Sequence, residues 1–300
     1  MRDTRSVVVG YDGSDFSMQA LEWAMDEAEL RKLPLTVAHA WRWPYGEAGD
    51  EAKMHLRKAA EHVLYHGADC ARSTSSITDV TTDLYEGAAA ERLVELSDRA
   101  ELIVVGSRGM GTLARTVLGS VAEYAAAHAH CPVVVVRGPG PIPVSPHPGA
   151  LVVGLTRDTH DEVIEFAFRE AALRLLPLVA VHAGPPQPGV WGAPMPPVLD
   201  ARDAEEDMLR HLQPWRERYP EVPVRATFVA EAAKSLLLDL SRQASLVVVG
   251  GARGRGRLGS TTRSILQHGA CPVAVVPALR DGPQRSGPAD GPLTSDASEG

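Results

Sequence analysis

Leu102-Ile103-Val104-Val105-Gly106-Ser107-Arg108-Gly109, followed after nine residues by Gly119-Ser120-Val121, decides the fold of this chain. The β-branched run 102–105 has the continuous apolar character of a parallel strand buried on both faces. Residues 122–128, on the far side, are rich in helix formers. A glycine turn that leaves a strand, and a second glycine with a serine that opens a helix, form a phosphate cradle. The glycines let backbone approach an anion closely. The helix N-terminus offers unpaired N–H groups and a partial positive charge. The arrangement predicts a nucleotide site.

Outward from this stretch, strands alternate with helical segments. Met18, Leu21, Met25 and Ala28 fall on one helical face. Residues 50–66 read as a second helix, 78–84 as a strand and 88–98 as a third helix. Such alternation predicts a doubly wound parallel sheet covered on both faces. Ligands then sit at the carboxyl ends of the strands, where Asp12 and Gly106 both belong.

The pattern occurs twice. Residues 6–10 match 150–154, Leu35–His39 resembles Leu178–His182, and 91–97 resembles 235–241. Leu102–Gly106 matches Leu246–Gly250, and Cys131–Val136 matches Cys271–Val276. The period is far too long for a solenoid and marks a domain duplication. The expected units are 1–137, a Pro/Gly-rich linker at 138–149, a second unit at 150–277, and a disordered tail at 278–300.

The 300 residues carry a net charge of −8, which disfavours a nucleic-acid surface. No signal peptide and no apolar run of membrane-spanning length is visible. Cys70, Cys131 and Cys271 have no metal spacing. A cytoplasmic, reduced location is expected.

The chain resembles the universal stress protein family in its tandem form. Gly106, Gly109, Gly119 and Ser120 meet the Gly-x2-Gly-x9-Gly-(Ser/Thr) signature, and Val8–Ser14 resembles the family's first strand and turn. The resemblance implies two Rossmann-like, adenine nucleotide alpha hydrolase-like domains. Each would be a five-stranded parallel sheet of order 3-2-1-4-5, paired through the last strands within the chain, with a homodimer as a further option. It implies ATP binding, Mg²⁺ being left open and cAMP the alternative, and a regulatory role in stress response or dormancy with an unknown protein partner. By position, Asp12 would contact ribose or adenine, while Ala40 and Val105 would line the adenine slot. Gly106, Arg108, Gly109, Gly119, Ser120 and Val121 would hold ribose and phosphates.

Structural readings stand beside these. Asp12-Gly13-Ser14 is also turn chemistry that caps a helix. Ser120 and Glu123 form the Ser-x-x-Glu pattern of a capping box. His39 and His182 read as satisfied strand-end histidines. His55, His62 and His66 share a helix face without enough ligands for a metal. Trp41, Trp43 and Tyr45 either close over adenine or pack on the surface.

The second copy departs. Thr156 and Arg157 stand where the first has Asp12 and Gly13. Only four residues separate Gly254 from Gly259-Ser260-Thr261, so the loop is five residues shorter (nine minus four). Either this site is degenerate, or Arg253, Gly254, Gly259, Ser260 and Thr261 form a second anion site. Arg255, Arg257 and Arg263 would then crowd it, without a counterpart of Glu123.

The leading expectation is a nucleotide-dependent regulatory module that is not an enzyme, with at most slow ATP hydrolysis. The alternatives are an adenylating or slow ATPase enzyme and a nucleotide-independent scaffold acting through the paired sheets or residues 185–197.

Overall fold

The computed structural model describes residues 5–43, 50–109, 118–137, 149–156, 159–183, 201–229, 233–251 and 256–278. The expected linker (except its last residue, Gly149), nearly all of the expected tail, the 185–197 segment, Tyr45, Arg157, Arg253, Gly254 and Arg255 lie outside these residues.

The first half runs β1 (Ser6–Gly10), α1 (Asp15–Arg31), β2 (Leu35–Trp41), α2 (Asp50–Thr74), β3 (Val80–Glu86), α3 (Ala89–Ser97), β4 (Ala100–Gly106), α4 (Ser120–His128) and β5 (Val133–Val136). The second half repeats the order with β6 (Leu151–Leu155), α5 (Asp161–Arg174), β7 (Leu178–Ala183), α6 (Ala201–Arg218), β8 (Val224–Val229), α7 (Ala233–Leu240), β9 (Leu246–Gly250), α8 (Ser260–His268) and β10 (Val273–Val276). All strands join one sheet of order β3-β2-β1-β4-β5-β10-β9-β6-β7-β8. Each half therefore has the order 3-2-1-4-5, with parallel pairing throughout. The halves meet where β5 and β10 pair antiparallel, Ala274 opposite Val134. Among the described residues no helix is long and apolar enough to cross a membrane.

Strand alternation builds the two cores. Val7, Val9, Leu102, Val104, Val134 and Val136 pack under α1 and α2, in a cluster that continues into the second half through Val153 and Phe168. Val8, Ile103, Val105, Val133 and Val135 face α3 and α4. Cys131 and Cys271 lie buried just ahead of β5 and β10, and burial pushes both thiols up to about 12. They are packing residues.

α2 is longer than the expected 50–66. Gly67 lies mid-helix against the Tyr11 ring, where a Cβ would come within 2.7 Å of the ring. Packing overrides propensity there.

α1 and α5 also carry a buried charge quartet between the halves. Glu27 and Arg31 on α1 face Glu170 and Arg174 on α5, all nearly or fully buried. Arg174 Nη2 donates to Glu27 Oε2 at 2.6 Å, and Arg31 donates to Glu170 and Glu27. Arg31 stacks over Phe166 and Arg174 over Trp23, so the arrangement repeats across the pseudo-twofold. Glu101 of β4 adds contacts to Arg31 and Arg169.

Candidate functional site

The site assembles from turns at the carboxyl ends of the strands. After β1, Asp12 Oδ1 accepts from Ser14 N at 3.0 Å and Ser14 Oγ at 2.6 Å. Ser14 in turn caps α1, accepting from Ser17 N at 3.2 Å. Asp12 thus has the turn role and also lines the cavity. Tyr11 beside it is fixed three ways. Its carbonyl faces His39 Nδ1 at 2.8 Å, its hydroxyl faces His66 Nδ1 at 3.0 Å, and its ring rests on Gly67. Burial, Cys70 and Asp12 all push the phenol pKa upward, so it stays protonated.

After β4 the chain turns at Gly106, where a Cβ would stand 2.5 Å from the Phe16 carbonyl oxygen. Arg108 stacks on the Phe16 ring at 4.7 Å. At Gly109 a Cβ would lie 2.5 Å from Asp12 Oδ2, so the missing side chain lets the two turns meet. Ser107 N donates to Val136 O at 3.0 Å, and Gly119 N donates to Ser107 O at 2.8 Å. The last bond closes the neck of the nine-residue insert. α4 then starts with Gly119 as its N-cap and no side-chain cap. The capping box that stood as the structural alternative for Ser120 and Glu123 is not formed. Ser120 is already the first helical residue, and Glu123 pairs with Arg263 instead. The first amides of α4 are therefore not taken up by a capping side chain.

Asp12, Ala40, Val105, Gly106, Arg108, Gly109, Gly119, Ser120 and Val121 all line one cavity of about 380 Å³. Tyr11, His39 and Arg92 are further lining residues that the sequence reading did not assign to a ligand. Arg92 clamps Asp83 through two bonds, at 3.0 and 2.6 Å, and Glu95 at 2.9 Å. These bonds raise its pKa and tie its charge to carboxylates, so it forms a wall. A signal for it was present in the acidic residue of β3 and the arginine nine positions later. Trp41 and Trp43 do not line the cavity.

The second half holds its own cavity of about 480 Å³, lined by Thr156, His160, Arg257, Gly259, Ser260 and Thr261 among others. Thr156 Oγ1 lies 3.2 Å from Thr159 Oγ1, and Thr159 Oγ1 accepts from Thr156 N at 2.7 Å. This small hydroxyl turn replaces the carboxylate turn of Asp12. Arg257 lines the cavity, but Arg263 does not and pairs with Glu123. Arg263 occupies the helix position of Glu123, so the counterpart expected to be missing is an arginine. Among the described residues no group of three His, Cys, Asp or Glu could hold a metal.

The universal stress protein family matches residues 4–137 and again 150–277. The chain belongs to this family. A universal stress protein of Mycobacterium tuberculosis is 33% identical over 306 residues, covering 92% of this chain and 96% of its own. The crystal structure of a universal stress protein from Archaeoglobus fulgidus superposes with a TM-score of 0.71 at 18% identity, covering 91% of this chain and 98% of that one. A family member solved in complex with cAMP is 31% identical over 45% of this chain and 98% of its own, with a TM-score of 0.37.

Proposed function

We propose that this chain is a nucleotide-dependent regulatory module whose first half binds ATP. The supporting observation is the convergence of the turn after β1, the end of β2, the glycine turn after β4 and the N-terminus of α4 on one cavity. Its volume suits a small-molecule ligand. Ala38, Ala40, Val105 and Leu93 offer an apolar slot for adenine. The amides of Ser120, Val121 and Ala122, which line the cavity, and the α4 dipole suit phosphates. Asp12 lines the cavity beside Gly109, and its carboxylate suits ribose hydroxyls as a hydrogen-bond acceptor. When bound, the nucleotide would supply charge and shape to this edge of the sheet, and its presence would be the signal. Glycine turns and apolar walls bind and orient, and the reading assigns no catalytic residue.

In the second half, where the cavity of about 480 Å³ is not the smaller of the two, the lining suits an anion held by charge rather than by tight fit. Thr156 offers a hydroxyl where Asp12 offers a carboxylate, and Arg257 adds a positive charge. Adenine selectivity is expected to be weak there.

Calorimetric titration of the full chain tests the main reading. ATP with Mg²⁺ is expected to bind more tightly than adenosine, with cAMP titrated alongside. Equal affinity for adenosine and ATP would remove the phosphate cradle from the account.

A further inference from the structure

α4 and α8 open the two cradles in the same way. Gly119 and Gly259 are their N-caps, with φ/ψ of −66°/142° and −61°/157°. Position 123 of α4 and position 263 of α8 are therefore equivalent, each on the fourth helical residue. Two identical halves would set like charges against each other here. Instead Arg263 Nη2 lies 3.0 Å from Glu123 Oε1, an ion pair that crosses from one half to the other.

A second contact reaches the same helix. Gly256, in the shortened loop of the second half, has φ +61° and lies against His128, the last residue of α4. A Cβ on Gly256 would fall 2.3 Å from His128 Nε2. His128 is itself fixed, with Nδ1 2.9 Å from Tyr124 O and its ring stacked on Tyr124 at 4.0 Å. The second half thus holds α4 at its first turn through Arg263 and at its last turn through Gly256.

The first turn is where charge matters. A carboxylate there interacts favourably with the helix N-terminus and competes with phosphate for the same positive end. Val121 and Ala122 line the first cavity, whereas Glu123 does not. We propose that Arg263 is a positioning residue of the first cradle, reaching from the second half to neutralise Glu123 and hold it away from the nucleotide's phosphates. The proposal rests on the nucleotide reading above. It gives the departing second copy a role, because its arginine completes the electrostatics of its neighbour's site.

The test uses the full chain and the series adenosine, AMP, ADP and ATP. Arg263→Gln frees an uncompensated carboxylate near the phosphates. Both side chains of the pair are partly exposed, 46% and 36%, so ATP affinity is expected to fall about two- to fivefold, with a smaller loss for ADP and none for adenosine. The double variant Glu123→Gln/Arg263→Gln should regain wild-type ATP affinity. High salt should shrink the loss. An equal loss for adenosine and ATP would indicate general damage and overturn the proposal, as would unchanged ATP binding or no recovery in the double variant. Should wild type bind no adenine nucleotide, the nucleotide reading itself fails. Should wild type bind ATP and Arg263→Gln bind it equally well, only the role of Arg263 fails.

Discussion

Gly106 of the motif does different work from its counterpart in the second half. Gly106 faces the Phe16 carbonyl at a distance no Cβ can tolerate, whereas at the equivalent Gly250 a Cβ would meet only Val163 Cγ2, at 3.7 Å. Gly106→Ala must therefore push α1 away from the sheet. We expect it to cost about 1–3 kcal/mol and to lower the urea midpoint, while Gly250→Ala leaves the midpoint nearly unchanged. Equal effects at the two positions would contradict this. At this scale much of the candidate site was legible. The spacing of Gly106, Gly109, Gly119 and Ser120, with Asp12 after the first strand, named nine residues that the fold brings to one cavity. Arg92, His39 and Tyr11 were not assigned to the cavity, because their placement depends on partners on other elements, at Asp83, on the Tyr11 carbonyl and on His66.

At the scale of elements, the α1–α5 pair is the unusual feature. Charges buried between packed helices are costly unless fully paired. Burial opposes ionisation of Glu27, but Arg174 and Arg31 outweigh it and hold its carboxyl below the usual range. Burial and then the nearby Glu27 push Glu170 up to about 7, against the lowering influence of Arg31, Arg174 and Arg169. The sign follows from linkage. Glu170 binds its proton more tightly folded than unfolded, so its contribution is full below its unfolded value of about 4.5. It is lost as pH rises through about 7. Glu27 acts in the opposite sense and only at more acidic pH. Chemical denaturation between pH 5 and 8 is therefore expected to show a stability component that declines with pH and is absent in Glu170→Gln. An identical pH profile in the variant would contradict the assignment. The element boundaries themselves were mostly readable from periodicity. The exception was α2, which runs eight residues past His66 to Thr74: the buried stripe of Ala60, Leu64, Ala68 and Ala71 continues through Gly67, whose missing side chain leaves room for the Tyr11 ring.

At the scale of the whole molecule, the chain is two similar halves fused into one ten-stranded sheet. The duplication and the strand order within each half were legible from the repeated valine-rich strands and the family resemblance. The devices that join the halves were not. Arg31 and Glu170 are 139 positions apart, and Arg174 and Glu27 are 147 apart, so neither pair leaves a periodic trace in the sequence. The same holds for Glu123 and Arg263, which sequence comparison of the halves treats as a loss and the fold treats as a pair. The asymmetry between the cavities is the central claim at this scale: one half equipped for ATP, the other departing from it and supporting its neighbour. The most direct measurement is a count of nucleotide per chain. The purified protein would be loaded with Mg·ATP, desalted and denatured, and the released nucleotides identified. The account predicts about one ATP per chain, from the phosphate-cradle argument. About two per chain would contradict the asymmetry, and none would contradict the nucleotide reading.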